Sequence, residues 1–161
     1  MKSIYILLLT FAGHVASSQS DTLPAYLQVP IVPPFKIQLT DGSWFSKSDL
    51  DKKPSLILYF SPDCGHCQLE TEEIISRAKS LSKLQFVMIT SKSLEETKNF
   101  SDKYLLHKIS NIKIGSDPNK FITKFYNVKF TPFSALYNKK GDLVKVYEKG
   151  IDYDDLLMKV H

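Results

Sequence analysis

Ser55-Leu56-Ile57-Leu58-Tyr59-Phe60-Ser61-Pro62-Asp63-Cys64-Gly65-His66-Cys67 is the stretch on which the reading of this chain turns. Its first six residues form an almost unbroken apolar run, the pattern of a short strand covered on both faces. After Cys67 the apolar period changes to that of a helix, with Leu69, Ile74, Ile75, Ala78 and Leu81 expected on one face. The only two cysteines of the chain therefore lie at a strand-to-helix junction, separated by two residues. A pair so close closes too small a loop to restrict the unfolded chain much, which makes it a poor staple. It reads instead as a reagent for thiol–disulfide chemistry.

A thiolate attacks a disulfide and a thiol does not, so the question is what would ionise one of the pair. Cys64 falls at the N-terminus of the expected helix, where unpaired N–H groups and the macrodipole favour negative charge. A protonated His66 adds a positive charge to the same loop, whereas Asp63 adds a negative one that opposes ionisation. Cys64 is thus the expected attacking thiol, and Cys67, one turn inside, the resolving one. Zinc needs three or four ligands; His14 lies in the leader, and His107 and His161 have no ligand spacing to the pair. Haem attachment needs a histidine directly after the second cysteine, where Gln68 stands. No bound metal is expected, and no cofactor beyond a redox-active Cys64–Cys67 disulfide. A structural disulfide, a peroxidatic Cys64 and a Cu(I) carrier using Cys64, Cys67 and His66 stay open as other readings.

Working outward, 161 residues fit one domain plus a short leader. A hydrophobic content of 43% and a charged content of 24% suit a soluble globular protein. The formal charge is +4 with lysines dispersed along the chain, which argues against a nucleic-acid partner. Lys2, the apolar residues 4–12 and the small, polar Ala16-Ser17-Ser18-Gln19-Ser20 read as a signal peptide over residues 1–20, or an N-terminal anchor if retained. The apolar run is well short of the ~20 residues of a spanning helix. Export would place the cysteines where disulfides persist.

Residues 21–34 hold Pro24, Pro30, Pro33 and Pro34 and are expected to be an extended lead-in without helix. The domain proper is expected over residues 35–161. It opens with a half-buried strand at residues 35–39, turned by Asp41-Gly42 into Trp44-Phe45 as an N-terminal hairpin. Residues 84–90 read as a second buried strand, and residues 93–104 as a helix opened by the Ser93/Glu96 capping box. A strand at 112–114, a helix at 119–126, a hairpin from 133–137 and 143–147, and a helix at 153–160 with Leu156, Leu157 and Val160 inward complete the chain. That order implies an α/β fold with a mixed sheet.

Residues 53–67 resemble the active-site segment of thioredoxin-fold proteins, and most of all the extracytoplasmic TlpA/ResA-like thiol–disulfide oxidoreductases of bacteria. The likeness runs from about residue 35 to the C-terminus. It implies a three-layer sandwich, a mixed central sheet flanked by helices, and exchange with cysteines of exported proteins in the periplasm or cell envelope. It also implies a redox partner that recycles the pair, and contact with a membrane only through a retained N-terminal segment. By the same resemblance Thr131 and Pro132 bind substrate, Pro132 as a cis-proline beside the cysteines and Thr131 through its backbone. Pro132 equally suits a trans proline opening a strand. Glu70 matches an acidic residue that tunes the thiols, and equally suits a helix glutamate complementing the dipole. Two departures stand out: Leu58 replaces thioredoxin's buried aspartate, and Asp63 replaces an aromatic residue. The Gly-His dipeptide resembles that of protein disulfide isomerases, which are more oxidising than thioredoxin.

Overall fold

The computed structural model describes residues 23–160, so the expected leader, His14 and His161 lie outside the described residues. The apolar run that follows Pro54 becomes strand β3 (Ser55–Tyr59), buried along nearly its whole length. Strand β4 (Gln85–Thr90) lies parallel to it and is buried at every position. Strand β5 (Ile112–Ser116) continues the parallel set on the far side of β4. Strand β6 (Phe133–Tyr137) pairs antiparallel with β3, and β7 (Leu143–Tyr147) with β6. The hairpin of β1 (Lys36–Leu39) and β2 (Trp44–Ser46) joins the other side, β1 running antiparallel to β5. The result is one mixed seven-stranded sheet in the order β2-β1-β5-β4-β3-β6-β7. Being central, β3 is covered on both faces, as its continuous apolar run requires.

Alternate residues of the central strands feed two separate cores. Leu56, Leu58, Phe86, Met88 and Leu136 face one side, beneath α2 (Gly65–Ser76), α3 (Leu94–Lys103) and α5 (Tyr153–Val160). Ile57, Val87, Ile89, Ala135 and Tyr137 face the other, beneath α1 (Ala25–Gln28) and α4 (Phe121–Phe125). Helix, sheet and helix therefore form the three layers of an α/β sandwich. Ser93 caps α3 as expected, its hydroxyl accepting from the Glu96 N–H at 3.1 Å while the Glu96 carboxylate takes the Ser93 N–H at 2.9 Å. Among the described residues, no helix is long and apolar enough to cross a membrane.

Two local expectations are corrected. The lead-in contains the one-turn helix α1, because Pro24 sits at its N-cap, where a missing N–H costs nothing. Tyr26 on this turn is buried against Tyr126 and Phe133. Helix α2, in turn, ends at Ser76 and does not bury Leu69, which is 60% exposed. Its buried stripe is Cys67, Glu70, Thr71 and Ile74. Ile74 and Leu81 are buried as expected and Ile75 packs against the same core, so the correction to the face is confined to Leu69, while Cys67, Glu70 and Thr71 complete the buried face.

Candidate active site

Strand β3 ends at Tyr59, and the chain turns through Ser61 and Asp63 before α2 begins. Cys64 donates its N–H to the Ser61 carbonyl at 3.1 Å, and its own carbonyl accepts the Gln68 N–H at 3.0 Å, the first bond of the helix. Cys64 is therefore the N-cap residue of α2, and the Gln68 side chain ties the turn by donating to the Pro62 carbonyl at 2.8 Å. Cys67, one turn in, points into the core and is only 1% exposed. Thr71 closes the next turn by donating to the Cys67 carbonyl at 2.8 Å. Both sulfurs are free thiols.

The two thiols have opposite surroundings. Burial pushes Cys64 up, but the side chains of Thr131 and Cys67 and the N–H groups of Cys67 and His66 outweigh it, and the net shift is downward. As a neutral thiol Cys64 caps nothing; those N–H groups act on the charged form. Cys67 is pushed up to about 12, chiefly by burial, with the neighbouring Cys64 adding to the rise. One sulfur is poised to be a thiolate and the other to keep its proton.

Thr131 and Pro132 reach this site from the segment that leads into β6. The Thr131–Pro132 peptide bond is cis. The Cys64 thiol donates to the Thr131 carbonyl at 3.6 Å across 67 residues of sequence. Beside them His66, Phe130, Thr131, Pro132, Glu148 and Lys149 line a depression of about 460 Å³. Phe130 stands 69% exposed on its rim. The other expected residues are placed less directly. Asp63 is paired with Lys92 at 2.7 Å. Glu70, 8% exposed, accepts the Ile151 N–H at 2.9 Å and the Tyr153 hydroxyl, so its carboxylate is occupied by the segment entering α5. Leu58 is buried in β3 and supplies no acid beneath the cysteines. Among the described residues, no three His, Cys, Asp or Glu side chains cluster to hold a metal ion.

Lys92, Phe130, Glu148 and Lys149 escaped the sequence reading. Lys92 is visible only once β3 and β4 are known to run side by side. Phe130 carried a usable signal: an aromatic residue next to Thr131-Pro132, outside any periodic apolar pattern.

A family model described as AhpC/TSA matches residues 30–149. No curated protein matches the chain. Solved structures share the fold at low identity. A secreted disulfide oxidoreductase of Mycobacterium tuberculosis, homologous to Escherichia coli DsbE, is 23% identical with a TM-score of 0.65, covering 79% of this chain and 94% of its own. An exposed lipoprotein thioredoxin of Streptococcus pneumoniae is 22% identical, with a TM-score of 0.60 and coverage of 80% and 98%. A thiol peroxidase of Chromobacterium violaceum is 17% identical, with a TM-score of 0.67 and coverage of 80% and 82%. The sandwich is thus a thioredoxin-like fold, and the side chains must decide what it does.

Proposed function

Since the chain belongs to the AhpC/TSA family, we propose that it is a thiol–disulfide oxidoreductase acting outside the cytoplasm on cysteines of exported proteins. The observation that carries this reading is the asymmetry of the pair: a Cys64 thiol with lowered pKa at a helix N-terminus, and a buried Cys67 held protonated three residues on. The Cys64 thiolate attacks a substrate disulfide, forming a mixed disulfide and expelling one substrate thiolate. Cys67 then loses its proton to that thiolate and attacks the Cys64 sulfur, releasing the second substrate sulfur as a thiolate, which takes its proton from solvent. The substrate gains two electrons and the pair becomes a disulfide; run backwards, the same steps oxidise a dithiol.

Thr131 and Pro132 form the wall against which the substrate segment lies, with the Thr131 carbonyl beside the attacking sulfur. His66 contributes through its main-chain N–H, and Glu70 fixes α2 against the segment entering α5. The exported setting is supported by the leader of the sequence and by the secreted and surface-exposed proteins that share the fold.

A Cys67→Ala protein is expected to accumulate mixed disulfides with exported proteins through Cys64. If it captures none while Cys64 still alkylates, the reading is wrong, and steady peroxide consumption by that variant would point to a peroxidase. The reduction potential then sets the direction. A value near roughly −270 mV marks a reductase, and one near roughly −180 to −120 mV an isomerase or oxidase.

A further inference from the structure

The parallel register of β3 and β4, with Tyr59 opposite Ile89, sends the segments that follow them out side by side. One carries Asp63, the residue before Cys64; the other carries Lys92. The Lys92 ammonium meets the Asp63 carboxylate at 2.7 Å and the Glu96 carboxylate at 3.5 Å. Its backbone is held from two directions. The Lys92 N–H donates to the Thr90 hydroxyl at 3.3 Å, and the Ser116 hydroxyl donates to the Lys92 carbonyl at 2.5 Å. Glu96 is committed to Ser93 by the capping box, which leaves Asp63 as the nearer partner of the lysine.

An uncompensated carboxylate next to an attacking thiol disfavours the thiolate. Yet the leading influences on Cys64 are its burial, Thr131, Cys67 and the His66 N–H, and none of these is a carboxylate. Lys92 for its part is held charged, through Asp63 first and Glu96 after it. His66 on the same helix lines the neighbouring depression with Glu148 and Lys149, whose charges are opposite in sign.

We propose that Lys92 is a positioning residue for Cys64, holding the Asp63 carboxylate in an ion pair and cancelling the charge that would otherwise bear on the attacking sulfur. This rests on Cys64 being the nucleophile. Both partners are open to solvent, the Lys92 side chain at 40% and Asp63 at 73%, so the effect weakens as salt rises.

The test reads Cys64 ionisation directly, by the rate of iodoacetamide alkylation and by thiolate absorbance against pH in the reduced protein. At neutral pH and low salt, Lys92→Ala should slow alkylation about three- to tenfold, with the midpoint raised by about half to one pH unit. Lys92→Arg should keep the wild-type rate, and adding Asp63→Asn to Lys92→Ala should recover it to within about twofold. High salt should narrow the gap between Lys92→Ala and wild type. A Lys92→Ala protein that alkylates at the wild-type rate, or a double variant that stays as slow as Lys92→Ala, overturns the proposal. Neither readout needs a disulfide substrate, so failure of the exchange reaction shows separately, in the Cys67→Ala capture.

Discussion

The Cys64 and Cys67 sulfurs hold their protons with different strength, and the pH dependence of the reduction potential reports both. With two electrons transferred, each proton taken up on reduction contributes about 30 mV per pH unit. Below the Cys64 pKa both thiols bind protons, and the potential should fall by about 59 mV per unit. Above it only Cys67 does, and the slope should halve to about 30 mV per unit and persist toward pH 12. A slope that stays at the steeper value through the alkaline range would contradict the lowered Cys64 thiol. The place of the two cysteines at a strand-to-helix junction was legible from their spacing and from the change of apolar period. N–H groups at the start of the helix were expected to favour the thiolate, and those of Cys67 and His66 do so; the contribution of Thr131 comes from 67 residues away, which no local pattern carries. The Lys92 counter-ion of Asp63 is fixed by strand register, which local pattern does not carry.

At the scale of elements, α2 is clamped to the C-terminal segment as well as to the sheet. The clamp is Glu70, with the Arg77 guanidinium 4.8 Å above the Tyr153 ring. Replacing Glu70 with Ala strands the Ile151 N–H and the Tyr153 hydroxyl and should cost about 2 kcal/mol or more in denaturant unfolding. Gly150 belongs to the same clamp. It has φ +113°, and a Cβ there would stand 3.1 Å from a Glu70 oxygen, so Gly150→Ala should lose about 1–2 kcal/mol. Unchanged melting of either variant would remove the clamp from the account of stability. A second tight approach joins β5 to β1, where a Cβ on Gly115 would meet the Gln38 carbonyl at 2.7 Å. Gly115→Ala should therefore cost about 1–3 kcal/mol by forcing the hairpin away from the sheet. Strands β3 to β7 were readable because each is a short apolar or alternating run. The polar part of the buried face of α2 was not, because Glu70 enters the interior through its partners rather than through its own hydrophobicity.

For the molecule as a whole, the order of elements was enough to imply a mixed sheet between two helical layers. Local pattern did not carry the pairing that brings residue 131 to residue 64, since contacts across such separations depend on strand order; that expectation came only from the family resemblance. The Pro-rich lead-in also does more than connect. Tyr26 fills a site against Tyr126 and Phe133, so Tyr26→Ala should lower stability by about 3 kcal/mol without moving the Cys64 alkylation midpoint.

Just beyond Tyr26 the chain runs along β7, the Leu143 N–H donating to the Pro30 carbonyl and the Val32 N–H to the Gly141 carbonyl, each at 2.8 Å. Strand β7 ends the sheet, and an uncovered terminal strand is a template on which a stranger's backbone can grow. Residues 30–32 occupy the start of that template, and the prolines among and after them offer no N–H with which to extend the ladder. The lead-in thus works as a selvedge, finishing the border of the sheet so that it does not fray into its neighbours.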